Sequence, residues 1–511
     1  MRRTAGALAA LFLFVGPASG CAPATHTGSS HTFVIAQTSE PRSLDPLLTS
    51  GYGTEEIGSL VYSYLVRIDA RGGLEPDLAA RVPSLYNGDI SPDGLTIVYH
   101  LRHGVRWQDG VQFTAADVLA TYRAIMDSRN AVPTRLGFDR IARISAPDPY
   151  TLRIHLTQRF APFLTYFFET ENYPVLPAHV LAHAGALAGS ALDAMPVGTG
   201  PYRVVEWQHG EYLDLAANDH YFGGAPHIAH LRIAFVPSAI TIAQQLRTGD
   251  ADAYLAADPF VLDQLRADTR LRLDTVPIYG FISLSMQTQD PALRVAAVRR
   301  AIAHIFDFDR AVRDASHGAL DSRDAGRGLF TWAYVDAPIP PSFVSLPSQL
   351  SLSIDATRPL EKALAEIMQA EAHAKGMTIL IRAFAPQQFE ATAAGTGPLA
   401  SGSYQLALHE VITGADPETT WILSCSQFPP AGYNVSRYCD PQVESALADA
   451  LTTNDVARRK RDYALVQQLV ARDAPFVPVA QLREIEAIPA TMTGFAPSLE
   501  TPFFHPERWR L

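Results

Sequence analysis

Apolar positions along this chain recur with two periods, three-to-four and two, and the switching between them lays out an α/β protein. "TFVIA" (32–36) opens as a short strand. Within "EEIGSLVYSYLVRI", Ile57, Leu60, Val61, Tyr64 and Leu65 share one helical face. "SPDGLTIVYHLRHGVRWQDGVQF" predicts two strands set off by the turn dipeptides Asp93-Gly94 and Asp109-Gly110. Thr114 then caps a helix over "AADVLATYRAIMD", with Asp117 placed to complete a capping box. "DPYTLRIHL" is a turn feeding an alternating strand. "GPYRVVEW" and "YLDLAAN" form a hairpin, followed by a strand at "HLRIAFV", a helix at "SAITIAQQLRTG" ended by Gly249, and a short strand at "DADAYL".

Past Tyr279 and Gly280, "FISLSM" is a strand and "DPALRVAAVRRAIAHIF" a helix with Asp290 as cap and Pro291 at its first position. Region 312–357 has weak periodicity and many prolines and is predicted as extended loops. "RPLEKALAEIMQAEAHA" is a helix up to Gly376, and "MTILIRAF" and "YQLALHE" are strands. Asp440 caps and Pro441 opens a helix over "CDPQVESALADAL". A further helix runs from Asn454 to about Asp473, before "APFVPVA" returns to extended form. One stretch tests a different chemistry. "PVGTGPYRVVEW" (196–207) sets two glycines around a threonine, but Gly200 leads into Pro201, Tyr202 and a β-branched run, so the chain goes from turn to strand and offers no helix N-terminus to a phosphate.

The first twenty residues differ from all that follow. "MRR" is a basic head, "TAGALAALFLFVG" an apolar run too short to span a bilayer, and "PASG" a small-residue exit. This predicts export. Cys21 then resembles the lipid-modified cysteine of a bacterial lipobox, with Ala18 where leucine is usual; ordinary cleavage nearby is the alternative. Residues 21–31 read as a tether. Of 511 residues, 47% are apolar and 18% charged, a folded protein long enough for several domains. Removing residues 1–20 takes away Arg2 and Arg3 and no acid, leaving 39 basic against 52 acidic residues, a net −13. That balance argues against nucleic acid as a partner. Two other cysteines remain, Cys425 and Cys439. In an exported chain they predict a disulfide closing a loop of about 15 residues, with metal binding as the weaker reading for two thiols lacking a close histidine.

Taken in order, "RSLDP" (42–46), "PDGLTIVYHLRHGVRWQDGVQFTAADV" (92–118), "PVGTGPYRVVEWQHGEYLDLAANDHYFGGAP" (196–226), "QLRTGDADAYL" (245–255), "LRVAAVRRAIAHIFDFDRAV" (293–312) and the stretch from Cys439 to Val479 resemble the extracellular solute-binding proteins of peptide-type ABC transporters, the oligopeptide- and dipeptide-binding family 5. The resemblance implies an α/β two-lobed periplasmic-binding-protein fold of type II, cluster C-like, with an extra N-terminal α/β domain. Carried onto this chain, residues 1–20 are the signal and 21–31 the tether. Lobe I combines 32–52, 185–279 and 478–511, the extra domain is 53–184, and lobe II is 280–477. Hinges fall near Tyr279-Gly280 and Pro478. "GTGPY" corresponds to the crossover back from the inserted domain, its glycines serving tight packing.

The resemblance also implies capture of a small solute, most often a peptide, between the lobes, and its delivery to an ABC permease by a monomeric, exported, lipid-anchored binder with no cofactor. Peptide binders of this family hold the ligand's amino group with an aspartate three positions before an Asp-Pro or Glu-Pro pair. Here the pair is Asp416-Pro417 and the matching position is Thr413. Asp416 then stands either as a substitute carboxylate or as the cap of a helix beginning at Pro417. The aromatic candidates for the cleft are Tyr279 and Phe281 at the hinge, Trp332 and Tyr334 in the irregular segment, and Trp421 and Tyr433 around the cysteine loop. Such a lining suits peptide side chains, or a sugar, an opine or a metal complex. The pairs His100/His103 and His227/His230 hint at metal, but the first lies in a strand and turn where it would not converge. An exported hydrolase is the competing class, but the chain lacks G-x-S-x-G, H-E-x-x-H and any paired-cysteine box. A lipoprotein that senses a solute is the third.

Overall fold

Ten strands make one mixed sheet, and its order explains how distant stretches of chain come together. The computed structural model describes residues 31–48, 52–169, 173–183, 187, 191–193, 195–389 and 396–511; the predicted signal and Cys21 lie outside them. In chain order the first strands are β1 (Phe33–Gln37), β2 (Val66–Ile68), β3 (Leu74–Pro76), β4 (Thr96–His100), β5 (Ile141–Asp148) and β6 (Thr151–Leu156). They continue with β7 (Tyr202–Gln208), β8 (Tyr212–Ala217), β9 (His230–Phe235), β10 (Ala253–Tyr254) and β11 (Leu271–Met286). The last four are β12 (Gln349–Asp355), β13 (Thr378–Phe384), β14 (Leu406–Ile412) and β15 (Phe476–Pro489). The large sheet runs β13-β12-β14-β11-β15-β10-β1-β9-β8-β7, while β4-β6-β5 and β2-β3 form two small sheets.

Two long antiparallel strands, β11 and β15, lie side by side at the centre of the sheet. Residues 271–277 of β11 pair with 483–489 of β15, the ladder shifts register across Ile278 to Gly280, and pairing resumes from Phe281. From Gly280 onward β11 also pairs with β14 on its other side. The sequence pattern breaks this strand at Tyr279-Gly280, because Pro277 and Gly280 read as punctuation. The structure runs through them, since the irregular ladder absorbs the lost partner at Pro277.

The cores follow the alternation along the strands. Phe33 and Ile35 of β1, Leu213 and Leu215 of β8, and Leu231 and Ile233 of β9 share one core with Trp107, Phe113, Phe138 and Phe167, so the segment bearing the β4-β6-β5 sheet packs directly on this half of the large sheet. Beyond the register shift, Ile282, Leu284 and Met286 face a second core with Leu350, Leu364 and Met368, while Phe281 faces a third with Tyr463 and Val466. Among the described residues no helix is long and apolar enough to cross a membrane.

Local signals hold at several termini. Thr114 and Asp117 form the full capping box of the helix Ala115–Met126, Gly249 ends Ala239–Thr248 in the left-handed conformation at φ 84°, and Asp440 caps Pro441–Thr452. Other expectations are corrected. The helix of residues 52–61 stops at Val61, before Tyr64 and Leu65, because the Val61 carbonyl is taken by the Gly200 N–H at 2.9 Å. Gly198 and Gly200 lie so close that a Cβ on either would fall 1.8 Å and 2.6 Å from that oxygen. Asp290 caps a turn, its carboxylate accepting from the Ala292 N–H at 2.8 Å, and the helix starts later, at Ala296. Around Asp109-Gly110 only an isolated bridge between Arg106 and Gln112 forms in place of a second strand. Within the predicted loop region 312–357, Gln349–Asp355 is a buried strand between β13 and β14.

Candidate functional site

A cavity of about 610 Å³ is lined from both sides of the β11–β15 ribbon. One side contributes Thr38 and the turn Tyr254–Phe260 after β10; the other contributes the helix Pro359–Ala374 through its first turns, and Glu410 of β14. Leu482 to Ile485 of β15 form its floor. Helix 359–374 points its N-terminal end here because Pro359 opens it at the first position, where a missing N–H costs nothing.

The cavity is charged. Arg358 is ion-paired with Glu410 and lies 3.8 Å from both Asp355 and Glu361. Glu361 is 1% exposed, and neither of its oxygens receives a hydrogen bond among the described residues. Burial, reinforced by Glu410, pushes its carboxyl up to about 8, so it is mostly neutral at pH 7. On β15, Glu484 and Glu486 sit two residues apart and so face the same way. Glu486 accepts from the Ala256 N–H at 3.1 Å, across the boundary from β10 to β15. Ala256 holds that donor in place from a left-handed backbone at φ 51°, a conformation strained for a residue with a Cβ. Burial pushes Glu486 up to about 7, and burial together with the Glu486 charge raises Glu484 well above the usual carboxylate range. Such a wall can orient a solute that carries charge at more than one point.

None of the eight aromatic and polar residues singled out from the sequence lines this cavity. Tyr279 is buried against Ile68 and Ala415. Phe281 and Tyr433 meet in a small chamber with Ser283, Ser285 and His409, and Trp421 packs on Tyr433 with ring centroids 5.8 Å apart. Trp332, 36% exposed, is crossed edge-on by Tyr463 and carries the Arg459 guanidinium 5.1 Å from its ring centre. Tyr334 lines a separate cavity of about 550 Å³ against Gln467 and Phe476 to Pro478. Thr413 donates its hydroxyl to the Gly328 carbonyl and its N–H to the Tyr279 carbonyl at 3.2 Å.

Asp416 does not cap the helix. Both its oxygens are held by Arg459, and the helix begins at Thr420, whose N–H is accepted by Glu418 at 2.9 Å. The reason is burial, since a carboxylate only 8% exposed needs a fixed cation and Arg459 supplies it. Cys425 and Cys439 are joined in a disulfide. The chamber beside Tyr433 also holds the Ser285 hydroxyl 2.9 Å from His409 Nε2. It has room for about one water, about 20 Å³, and burial lowers His409 to about 4 and keeps it neutral.

Sequence reasoning passed over the charged lining. The signal was present in "LREIE" (482–486), which sets Glu484 and Glu486 on one face of an otherwise apolar strand. Acids inside such a run are either paired or functional.

The model of the bacterial extracellular solute-binding proteins, family 5 middle region, matches residues 73–345. A probable ABC transporter periplasmic-binding protein of Escherichia coli (strain K12) is 25% identical over 94% of this chain and 93% of its own length. A probable D,D-dipeptide-binding periplasmic protein of the same organism is 25% identical over 92% of each. The crystal structure of an ABC transporter substrate-binding protein from Listeria monocytogenes superposes with a TM-score of 0.82 at 21% identity, over 94% of this chain and 99% of that one.

Proposed function

Because the chain belongs to the bacterial extracellular solute-binding proteins of family 5, we propose that it is the solute-binding component of an ABC importer, capturing a peptide in the cavity on the β11–β15 ribbon. The observation that carries this reading is the two-sided lining: Tyr254 to Phe260 from one lobe face Arg358 to Glu366 from the other. A solute touching both stabilises the closed form by the difference between its affinities for closed and open states. Peptide as the solute draws support from the dipeptide-binding relative and from a wall bearing both signs of charge.

In this reading lobe I is 32–52, 185–279 and 478–511, lobe II is 280–477, and the hinge is the register shift around Ile278 to Gly280 with its partner near Pro478. Residues 1–20 direct export, and a lipid on Cys21 keeps the binder near its permease, raising its effective concentration there. The protein acts as a monomer and without catalysis.

Native mass spectrometry of the protein purified from its host tests the assignment. A co-purifying peptide supports it. A sugar or a metal complex keeps the transport role and removes the peptide, and cleavage of added peptides removes the transport role itself.

A further inference from the structure

The charges of the cavity do not all find partners within it. Arg358 is taken up by Glu410. Glu484 lines the same cavity, is more than nine-tenths buried, and among the described residues has another acid, Glu486, as its charged neighbour instead of a base. Glu486, fully buried behind it, uses one oxygen on the Ala256 N–H and shares a side-chain hydrogen bond with Glu484. Two carboxyl groups held side by side in a low dielectric keep a proton between them, and a cation arriving at Glu484 would take that proton's place. The other two polar candidates are already committed: Asp416 is held by Arg459, and the hydroxyl of Thr413 is spent on the Gly328 carbonyl.

We propose that Glu484 is the recognition residue of this cavity for a cationic nitrogen of the solute, an ammonium from an amino terminus or from a lysine-type side chain, with Glu486 behind it adding negative charge. The inference rests on the cavity being the solute site. An ammonium brings three donors, enough to bridge Glu484 and a carbonyl of the turn Ala256 to Asp258 opposite. Glu484 sits on the central ribbon, so a cation there engages the element shared by both lobes.

The test uses the purified mature protein with two tripeptide libraries of defined composition, one with free amino termini and one N-acetylated, the retained peptides being identified by mass spectrometry and their affinities measured by calorimetry. Retention of the free library alone identifies the amino terminus as the cation; retention of lysine-containing members of the acetylated library identifies the side chain. In both cases Glu484→Gln lowers affinity at least tenfold, whereas Glu211→Gln, a change at an exposed acid outside the cavity, stays within threefold. Equal affinity of wild type and Glu484→Gln for the same peptides overturns the inference and leaves the peptide reading standing. So does retention by wild type of acetylated peptides with no basic residue, an arm that needs no variant to fold. Retention of neither library overturns both.

Discussion

Arg459 grips Asp416 with two nitrogens, at 2.8 Å and 2.6 Å, in a place where both side chains are almost fully enclosed. The guanidinium also lies over Trp332 and Tyr463, so one cation organises a carboxylate and two aromatic rings. Removing one partner leaves the other charged and buried. Asp416→Ala is expected to cost about 3–5 kcal/mol in urea denaturation, while solute affinity per folded molecule stays within twofold. A large loss of affinity at unchanged stability would put Asp416 back among the ligand contacts.

Glu361 makes stability depend on pH. Its carboxyl ionises near 4.5 in the unfolded chain and about 8 in the folded protein, because burial dominates and Glu410 adds to it. Between those values the folded state keeps a proton that the unfolded chain releases, so stability falls as pH rises, by at most about 1.4 kcal/mol per pH unit for one such group. Glu361→Gln should raise the Tm at pH 8 more than at pH 5. The slope is expected to shrink and not vanish, since Glu484 and Glu486 act in the same direction. An unchanged slope between pH 5 and pH 8 refutes the assignment.

Gly200 is expected to tolerate no side chain. An added Cβ would lie 2.5 Å from the Val61 carbonyl carbon and 2.7 Å from the Leu60 carbonyl oxygen, both backbone atoms that cannot step aside. Gly200→Ala should cost about 1–3 kcal/mol or more through forced backbone movement. A melting temperature equal to wild type would show that the crossover and the helix end yield to each other.

The cysteine pair closes a loop of about 15 residues, for which the chain-entropy model gives about 3 kcal/mol. The double change Cys425→Ala, Cys439→Ala is expected to lose that much in equilibrium unfolding. Reduction of the wild type should reproduce the loss, whereas a double variant as stable as oxidised wild type would place the loop's order in its own packing around Asn434.

What the sequence disclosed was mostly local. Thr114 with Asp117, Asp440 with Pro441, and Gly249 each act within one turn of chain, and each is where the pattern puts it. The strand Gln349–Asp355 went unread although "LSLSI" alternates cleanly, because the prolines before it dominate the window. Of the six aromatic candidates, Tyr279 and Phe281 are buried, and Tyr334, Trp421 and Tyr433 pack partly buried against the cluster around Phe281. The charged cavity was hidden for a different reason. Its contacts join residues as far apart as Ala256 and Glu486, 230 positions along the chain, and only the crossing of β10, β11 and β15 makes them neighbours.

In the proposed lobe arrangement, the passage of β11 and β15 from one lobe to the other would also set how the molecule moves. A two-stranded ribbon can wind and unwind about its length without parting its rungs, and in that arrangement the soft coil would be the irregular stretch from Ile278 to Gly280. Capture and release would then cycle elastically, with the restoring force stored in the backbone and the two halves returned to the same alignment after every round. Amide protons on either side of the soft coil should exchange slowly whether or not the cavity is filled, and those within it should report the tension.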